Sequence, residues 1–197
     1  MNFGTIQVAN IFVGTLNAIE AYFGNEKVWG KSEPSTANWL CFTAEQDNST
    51  LHLDKVGTPN AISLETSTDG KTWSDYSWTD KTGVTLKLAN VDDKVYFRAK
   101  NENQTIGSST SDYYQFVMTG KISASGNVNT LLDQNGNATL TNYCYSYLFQ
   151  GCASLTSAPE LTATKLADYC YESMFNGCES LTTAPELPAT TLASHCY

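Results

Sequence analysis

The last third of the chain repeats itself, and this periodicity limits the possible folds more than any other feature. Residues 140–161 return, with most of their sequence kept, as residues 166–187. Equivalent positions lie 26 residues apart, as Cys144 and Cys170 do, and Leu192 begins a third copy at the same interval. Periods of about 20 to 50 residues are typical of solenoids, in which each unit packs only on its neighbours.

The pattern within one unit predicts a leucine-rich repeat. Apolar residues at three- and four-residue steps predict a short helix that ends near Gly177; they are Leu166, Tyr169, Cys170, Met174 and Phe175. The Thr-rich stretch that follows is expected to be extended, because Pro185 and Pro188 exclude a helix. We therefore predict a solenoid with a short helix plus a strand in each repeat.

A single unit has too few apolar side chains to fold alone. Ordering a residue costs roughly 1.5 kcal/mol, so a unit must bury apolar surface against neighbours on both sides. Residues 121–133 are expected to cover the first repeat as an N-terminal cap. Since the sequence stops at Tyr197, a few residues into the third copy, we expect it to be part of a longer polypeptide.

Five of the six cysteines occupy two repeating positions, so equivalent thiols should stack along the repeats; they are Cys144, Cys152, Cys170, Cys178 and Cys196. Disulfides and a metal ladder are two interpretations of this pattern. No CxxC motif or Cys/His pair has zinc spacing, so no metal or cofactor is expected. Small buried thiols that fill space between layers are the favoured interpretation.

The acidic composition argues against nucleic-acid binding. The formal net charge is −9, and only 11 Lys and Arg residues are spread thinly along the chain. The first residues contain no basic region and no long apolar run, so neither a signal peptide nor a membrane span is expected.

Three domains are predicted in a mainly β chain. Residues 1–31 show short β-like runs and are expected to form a small β-rich anchor, although they could instead add strands to the next domain. A linker then leads to residues 37–120, where five alternating segments predict an Ig-like β-sandwich. Asp69-Gly70 is predicted to form a hairpin turn beside a packed Trp73. Residues 121–197 form the repeats with their cap.

The sequence offers little for catalysis, and we expect no enzyme. His52 and His195 have no nucleophile at a recognisable spacing, and His195 replaces the tyrosine that occupies positions 143 and 169. The loop carboxylates are expected to be solvated, because they lack the spacing of a calcium-binding loop; they are Asp69, Asp75, Asp80, Asp92 and Asp93.

Residues 122–197, above all the repeat core from Tyr169 to Leu192, resemble the BspA-like leucine-rich repeats found in gut Bacteroidales, including Bacteroides, and their phages. Residues 67–73 and 91–98 are similar to the Ig-like or fibronectin type III-like modules that precede such repeats. Residues 11–14 and 22–29 are similar to N-termini of phage structural proteins. These resemblances imply a β-rich adhesion protein.

Two functions follow from these expectations. The first is a virion structural protein, a head or tail fibre or decoration at the virion surface, which is expected to be a homo-oligomer or to be present in several copies. Its N-terminus would bind capsid, portal or tail proteins through Ile11, Phe12, Val13, Tyr22, Phe23, Val28 and Trp29. Its repeats would bind a bacterial or mucosal glycan or protein through Ser154, Thr156, Glu160, Ser180, Thr182 and Glu186. The alternative is an adhesin at the bacterial cell surface.

Overall fold

The computed structural model describes residues 38–197 in full and the backbone of three strands before them. These strands, β1 (Gln7–Ala9), β2 (Glu20–Phe23) and β3 (Glu26–Trp29), form an antiparallel three-stranded sheet in the order β1-β2-β3. Residues 1–37 and residues 38–197 are two separate compact units. The predicted linker lies outside the described residues.

Residues 38–120, called the β-module here, contribute to two antiparallel sheets, and one strand of the larger sheet comes from the following segment. The three-stranded sheet has the order β10-β5-β12, in which β10 is Leu86–Leu88, β5 is Ser49–Val56 and β12 is Tyr113–Thr119. The five-stranded sheet has the order β13-β4-β11-β6-β7. Its strands are β13 (Ile122–Ser125), β4 (Leu40–Ala44), β11 (Lys94–Ala99), β6 (Leu64–Ser67) and β7 (Ser74–Asp75). A small hairpin pairs β8 (Trp78–Thr79) with β9 (Thr82–Gly83). All five alternating segments of the sequence contribute strands to these sheets.

The two sheets pack face to face through a cluster of aromatic rings. Phe116 of β12 lies 4.8 Å from Phe42 of β4 and 5.4 Å from Phe97 of β11, measured between ring centroids. All three side chains are fully buried, because alternate residues of each strand point inward. The same core continues without a break into the repeats, where it includes Tyr145 and Phe149.

The predicted hairpin around Gly70 is present. Strands β6 and β7 pair on either side of it, and Gly70 has a φ of +68°, which glycine adopts without strain. Asp69 accepts hydrogen bonds from the backbone N–H groups of Lys71 and Thr72 at 2.8 and 2.7 Å. Trp73 packs edge-on against Trp39 at 4.8 Å. The aspartate therefore holds its own turn in place.

The short helix predicted in each repeat is wrong. Residues 142–151 and 168–177, called the turn segments, are runs of consecutive turns. Left-handed backbone at Tyr143 and Tyr147, and at the equivalent Tyr169 and Ser173, interrupts the right-handed path that a helix needs. The predicted strand of each repeat is likewise reduced to isolated bridges. Within the described residues no helix has the length and apolar character of a membrane span.

Alternate amides of a turn segment have different partners. The N–H groups of Ser146, Leu148 and Gln150 donate to carbonyls three residues earlier, at 3.0–3.2 Å. Those of Tyr145, Tyr147 and Phe149 donate instead to carbonyls 25 residues later, at 2.7–3.0 Å. One set closes the turns and the other joins adjacent repeats, so each repeat is bonded to the next along its turn segment.

Equivalent aromatic side chains form columns across the repeats. The ring planes of Tyr143 and Tyr169 are 8° apart with centroids separated by 4.8 Å, and His195 continues this column 4.7 Å further on. Tyr145 and Tyr171, at 5.7 Å, make a second column. The prediction that His195 occupies a repeat position is confirmed.

The first repeat is covered by the β-module as well as by residues 121–133. Phe116 of β12 stacks on Phe149 at 5.2 Å, and its N–H donates to the Leu148 carbonyl at 2.8 Å. Further along, Ile122 of β13 makes a parallel bridge with Leu155, and Asn127 makes one with Glu160. The chain from β12 to the 3-10 helix Val128–Leu131 therefore acts as a layer that precedes the first repeat.

The residues with a left-handed backbone provide a test of the conformation of the turn segments. Replacing Ser173 by glycine should increase the free energy of unfolding by about 0.5–1 kcal/mol, because glycine relieves the left-handed strain at a φ of 50°. The matched change Ser180→Gly, at a half-buried serine outside the left-handed region, should lower it by a similar amount. Urea unfolding measures the free energy of unfolding of both variants. A loss of stability in both would contradict the left-handed conformation at Ser173.

Candidate functional site

An open groove runs between equivalent segments of the two repeats. Ala158-Pro159-Glu160-Leu161 recurs as Ala184-Pro185-Glu186-Leu187. The groove has a volume of about 520 Å³, and its walls include Pro159, Glu160, Leu161, Thr162, Pro185 and Glu186. It therefore combines an apolar floor with two exposed carboxylates, one from each repeat.

The backbone pairing of the repeats explains why a groove forms there. Two backbone hydrogen bonds join the repeats on either side of the groove. The Ser180 N–H donates to the Ala153 carbonyl at 3.0 Å, and the Thr190 N–H donates to the Thr164 carbonyl at 3.0 Å. No backbone hydrogen bond of the described residues joins the repeats between these points. Pro185 and Pro188 have no N–H to donate, so at these two positions the second repeat cannot donate a backbone hydrogen bond to the first.

A second, more polar cavity adjoins the groove at Thr162. It has a volume of about 470 Å³ and is lined by Asn127, Asn129, Thr162, Thr164 and Lys165 together with residues 136–140. Asn127 accepts hydrogen bonds from the Asn129 N–H at 2.9 Å and from the Thr162 hydroxyl at 3.0 Å. The side chains of Asn127 and Thr162 are thus bonded to each other in the wall of this cavity.

The predicted ligand residues are in different environments. Glu160, Thr182 and Glu186 are exposed, whereas Ser154 and Ser180 are half-buried. The Thr156 hydroxyl donates to the Ile122 carbonyl at 3.2 Å, so it ties the first repeat to β13. The Glu160 carboxylate accepts a hydrogen bond from the Asn38 amide. Among these six residues the groove brings together Glu160 and Glu186.

The predicted docking residues belong to the first compact unit. Ile11, Phe12 and Val13 lie outside the described residues. Tyr22 and Phe23 lie in β2, and Val28 and Trp29 lie in β3. Because β2 and β3 are paired antiparallel, these four residues share one small hairpin.

The other polar residues singled out in the sequence are bonded locally. His52 lies 3.4 Å from the Asp54 carboxylate, and Ser194 lies 2.8 Å from the ring of His195. Asp75 pairs with Lys100 at 2.6 Å. Hydrogen bonds from the backbone of Thr72 and Lys71 hold the pKa of the Asp69 carboxyl far below its ordinary value. Within the described residues no three metal-binding side chains are grouped together.

The six cysteines are free and buried. The thiols of Cys152 and Cys178 each donate to a carbonyl of the preceding layer, at Phe116 and Phe149, both at 3.1 Å. Burial raises the pKa of Cys152 well above its ordinary value, and it raises the pKa of Cys170 and Cys178 to about 11. The arrangement agrees with thiols that fill space between layers.

Of the six predicted ligand residues, Glu160 and Glu186 line the groove, and none of the six lines the second cavity. The available signal for the groove was the pair of Ala-Pro-Glu-Leu segments, whose prolines each lack a backbone N–H. The position of Asn127 beside Thr162 had no such signal, because the two residues are far apart in the sequence and the contact arises from packing.

No protein-family model, curated protein or solved structure matches this chain significantly.

Thiol reactivity tests the burial of the cysteines. At pH 8 folding should reduce the thiolate fraction of Cys170 and Cys178 about 100-fold, because their pKa rises from 9.0 to about 11 and only the thiolate reacts. Mass spectrometry after a timed iodoacetamide pulse should show both unlabelled in the native chain and labelled in guanidinium chloride. Equal labelling rates in the two states would contradict this structure.

Proposed function

We propose that this chain is a non-enzymatic attachment protein of a phage particle, which binds the virion through residues 1–31 and displays its repeats to a bacterial or mucosal surface. In this proposal residues 38–120 are an Ig-like β-sandwich that supports a solenoid of leucine-rich repeats, although turn segments replace the helices. The open groove that carries Glu160 and Glu186 is the observation on which the proposal rests.

The chemistry of the groove suits a glycan. Carboxylates accept hydrogen bonds from sugar hydroxyls, and the half-buried Pro185 and the exposed Pro188 offer apolar surface to the face of a sugar ring. An exposed carboxylate makes only a modest contribution to the affinity of one site. Several copies on one particle would raise the total affinity by avidity.

The division of the chain also supports this proposal. Residues 1–37 form a compact unit of their own, and the larger unit has its own continuous core. A small β-sheet unit can therefore bind one partner while the groove binds another.

Binding to defined surfaces tests the role of the groove. The fluorescently labelled chain should bind intact gut Bacteroidales cells or immobilised intestinal mucin, and the double variant Glu160→Gln/Glu186→Gln should bind about tenfold more weakly, because charged hydrogen bonds are lost. The control Glu179→Gln removes the same type of charge from an exposed glutamate outside the groove. Equal losses in both variants, or no binding by the parent chain, would refute the groove as the site.

Deletion of residues 1–31 tests the anchor. Particles produced with the shortened chain should lack it, because the proposed docking residues are removed, while the remaining repeats keep their affinity for the same cells. Immunoblotting of purified particles measures incorporation. Normal incorporation, or recovery of the full chain in a bacterial outer-membrane fraction instead of particles, would favour the cell-surface adhesin.

A further inference from the structure

The wall of the second cavity contains a chain of hydrogen bonds that fixes the orientation of two asparagine amides. The Asn127 Nδ2 donates to the Gly136 carbonyl at 3.3 Å, so the Asn127 Oδ1 is the atom that faces Thr162. The Thr162 hydroxyl has a single proton and donates it to this Oδ1 at 3.0 Å. The same hydroxyl must therefore accept from the Asn129 Nδ2, which lies 3.4 Å away.

This chain of bonds leaves one buried acceptor unused. Asn129 is 3% exposed, and its Oδ1 has no hydrogen-bond partner among the described residues. Buried polar atoms are nearly always paired, because an unpaired one loses its bonds to water without replacement. Since Asn129 lines the second cavity, a hydroxyl or N–H group of a ligand there can supply the missing donor.

The same cavity presents one positive charge. Lys165 is the single charged side chain among the described residues that line it. Lys165 is exposed and forms no ion pair with another residue in the described part of the chain. The exposed hydroxyls of Thr139 and Thr164 belong to the same lining. A cation beside neutral donors and acceptors favours a ligand that is anionic and rich in hydroxyls.

The acidity of the whole chain does not oppose such a ligand at short range. The net charge of −9 repels anions, but at physiological ionic strength the field of exposed charges decays over about 8 Å. The charge of Lys165 therefore decides the local preference. The volume of about 470 Å³ also falls in the range of sites that bind small molecules.

We propose that the second cavity binds one acidic sugar residue. Its carboxylate or sulfate lies at Lys165, and its ring hydroxyls bond to Asn129 and Thr164. This inference rests on the proposed display of the repeats to a glycan, and it names the class of sugar that is recognised.

The neighbouring groove gives the glycan a direction. The groove and the second cavity meet at Thr162, so one glycan can occupy both. Glu160 and Glu186 repel an anionic group in the groove, whereas Lys165 attracts it in the cavity. The acidic sugar is therefore placed in the cavity and its uncharged neighbours in the groove.

Titration with matched monosaccharides tests the inference. In proton–nitrogen correlation spectra of the full chain, sodium glucuronate should shift the signals of Asn129, Thr164 and Lys165. Glucose has a hydroxymethyl group in place of the carboxylate. Added with an equal concentration of sodium chloride, it should bind about fivefold more weakly, because it cannot pair with the lysine. Galactose 6-sulfate and galactose repeat the comparison for a sulfate, so the two pairs show which anionic group is preferred.

The variant Lys165→Gln should weaken glucuronate binding about fivefold and remove the preference over glucose. The matched control Lys71→Gln, at an exposed lysine outside the cavity, should change neither. The comparison of sugars on the parent chain decides the outcome even if the variant does not fold. Equal binding of the acidic and neutral sugars, an absence of shifts at these residues, or equal losses in both variants would overturn the inference.

The two glycan experiments have separable outcomes. Glucuronate binding that depends on Lys165, with mucin binding unaffected by Glu160→Gln/Glu186→Gln, would refute the groove and keep the cavity. Mucin binding that depends on the two glutamates, without binding of either acidic monosaccharide, would refute the cavity alone.

Discussion

The structure of residues 38–197 depends on the alternation of backbone amides along the turn segments. In a helix every amide would bond within its own segment, and adjacent repeats would be held only by side chains. Here one amide closes a turn and the next reaches the neighbouring repeat, so the left-handed residues are part of the connection between layers. The spacing of those bonds places equivalent rings 4.7–5.9 Å apart, which leads to the columns of tyrosine, phenylalanine and histidine.

The β-module packs on the first repeat with the contacts that one repeat makes with the next, although its sequence is different. Phe116 stacks on Phe149 in the same way that Phe149 stacks on Phe175. The carbonyl of Phe116 accepts a thiol hydrogen bond from Cys152, and the carbonyl of Phe149 accepts one from Cys178. The sheets and the repeats therefore have one continuous core. This continuity fixes the groove on a rigid support, since its first wall is held to residues 126–128 by backbone hydrogen bonds from Glu160 and Val128.

The repeat length and the apolar alternation predicted much of this structure. They identified which positions stack, including His195, and located five of the eight strands of the two sheets and the hairpin at Gly70. The predicted helix failed for a physical reason: consecutive turns and a helix both bring apolar residues together at three- and four-residue steps. What separates them is a left-handed φ at Tyr143 and Tyr147, where no glycine marks the position. The layer formed by β12 was missed because Phe116 precedes Phe149 by 33 residues, which is outside the repeat period.

The burial of six free thiols has a consequence for where such a chain can work. Disulfide-stabilised proteins depend on an oxidising compartment for folding and lose stability when they are reduced. In this chain the cysteines contribute through packing and through thiol hydrogen bonds to carbonyls, and neither contribution requires an oxidant. The same fold can therefore form in a reducing cell interior and persist in the oxidising medium outside, without a change in covalent structure.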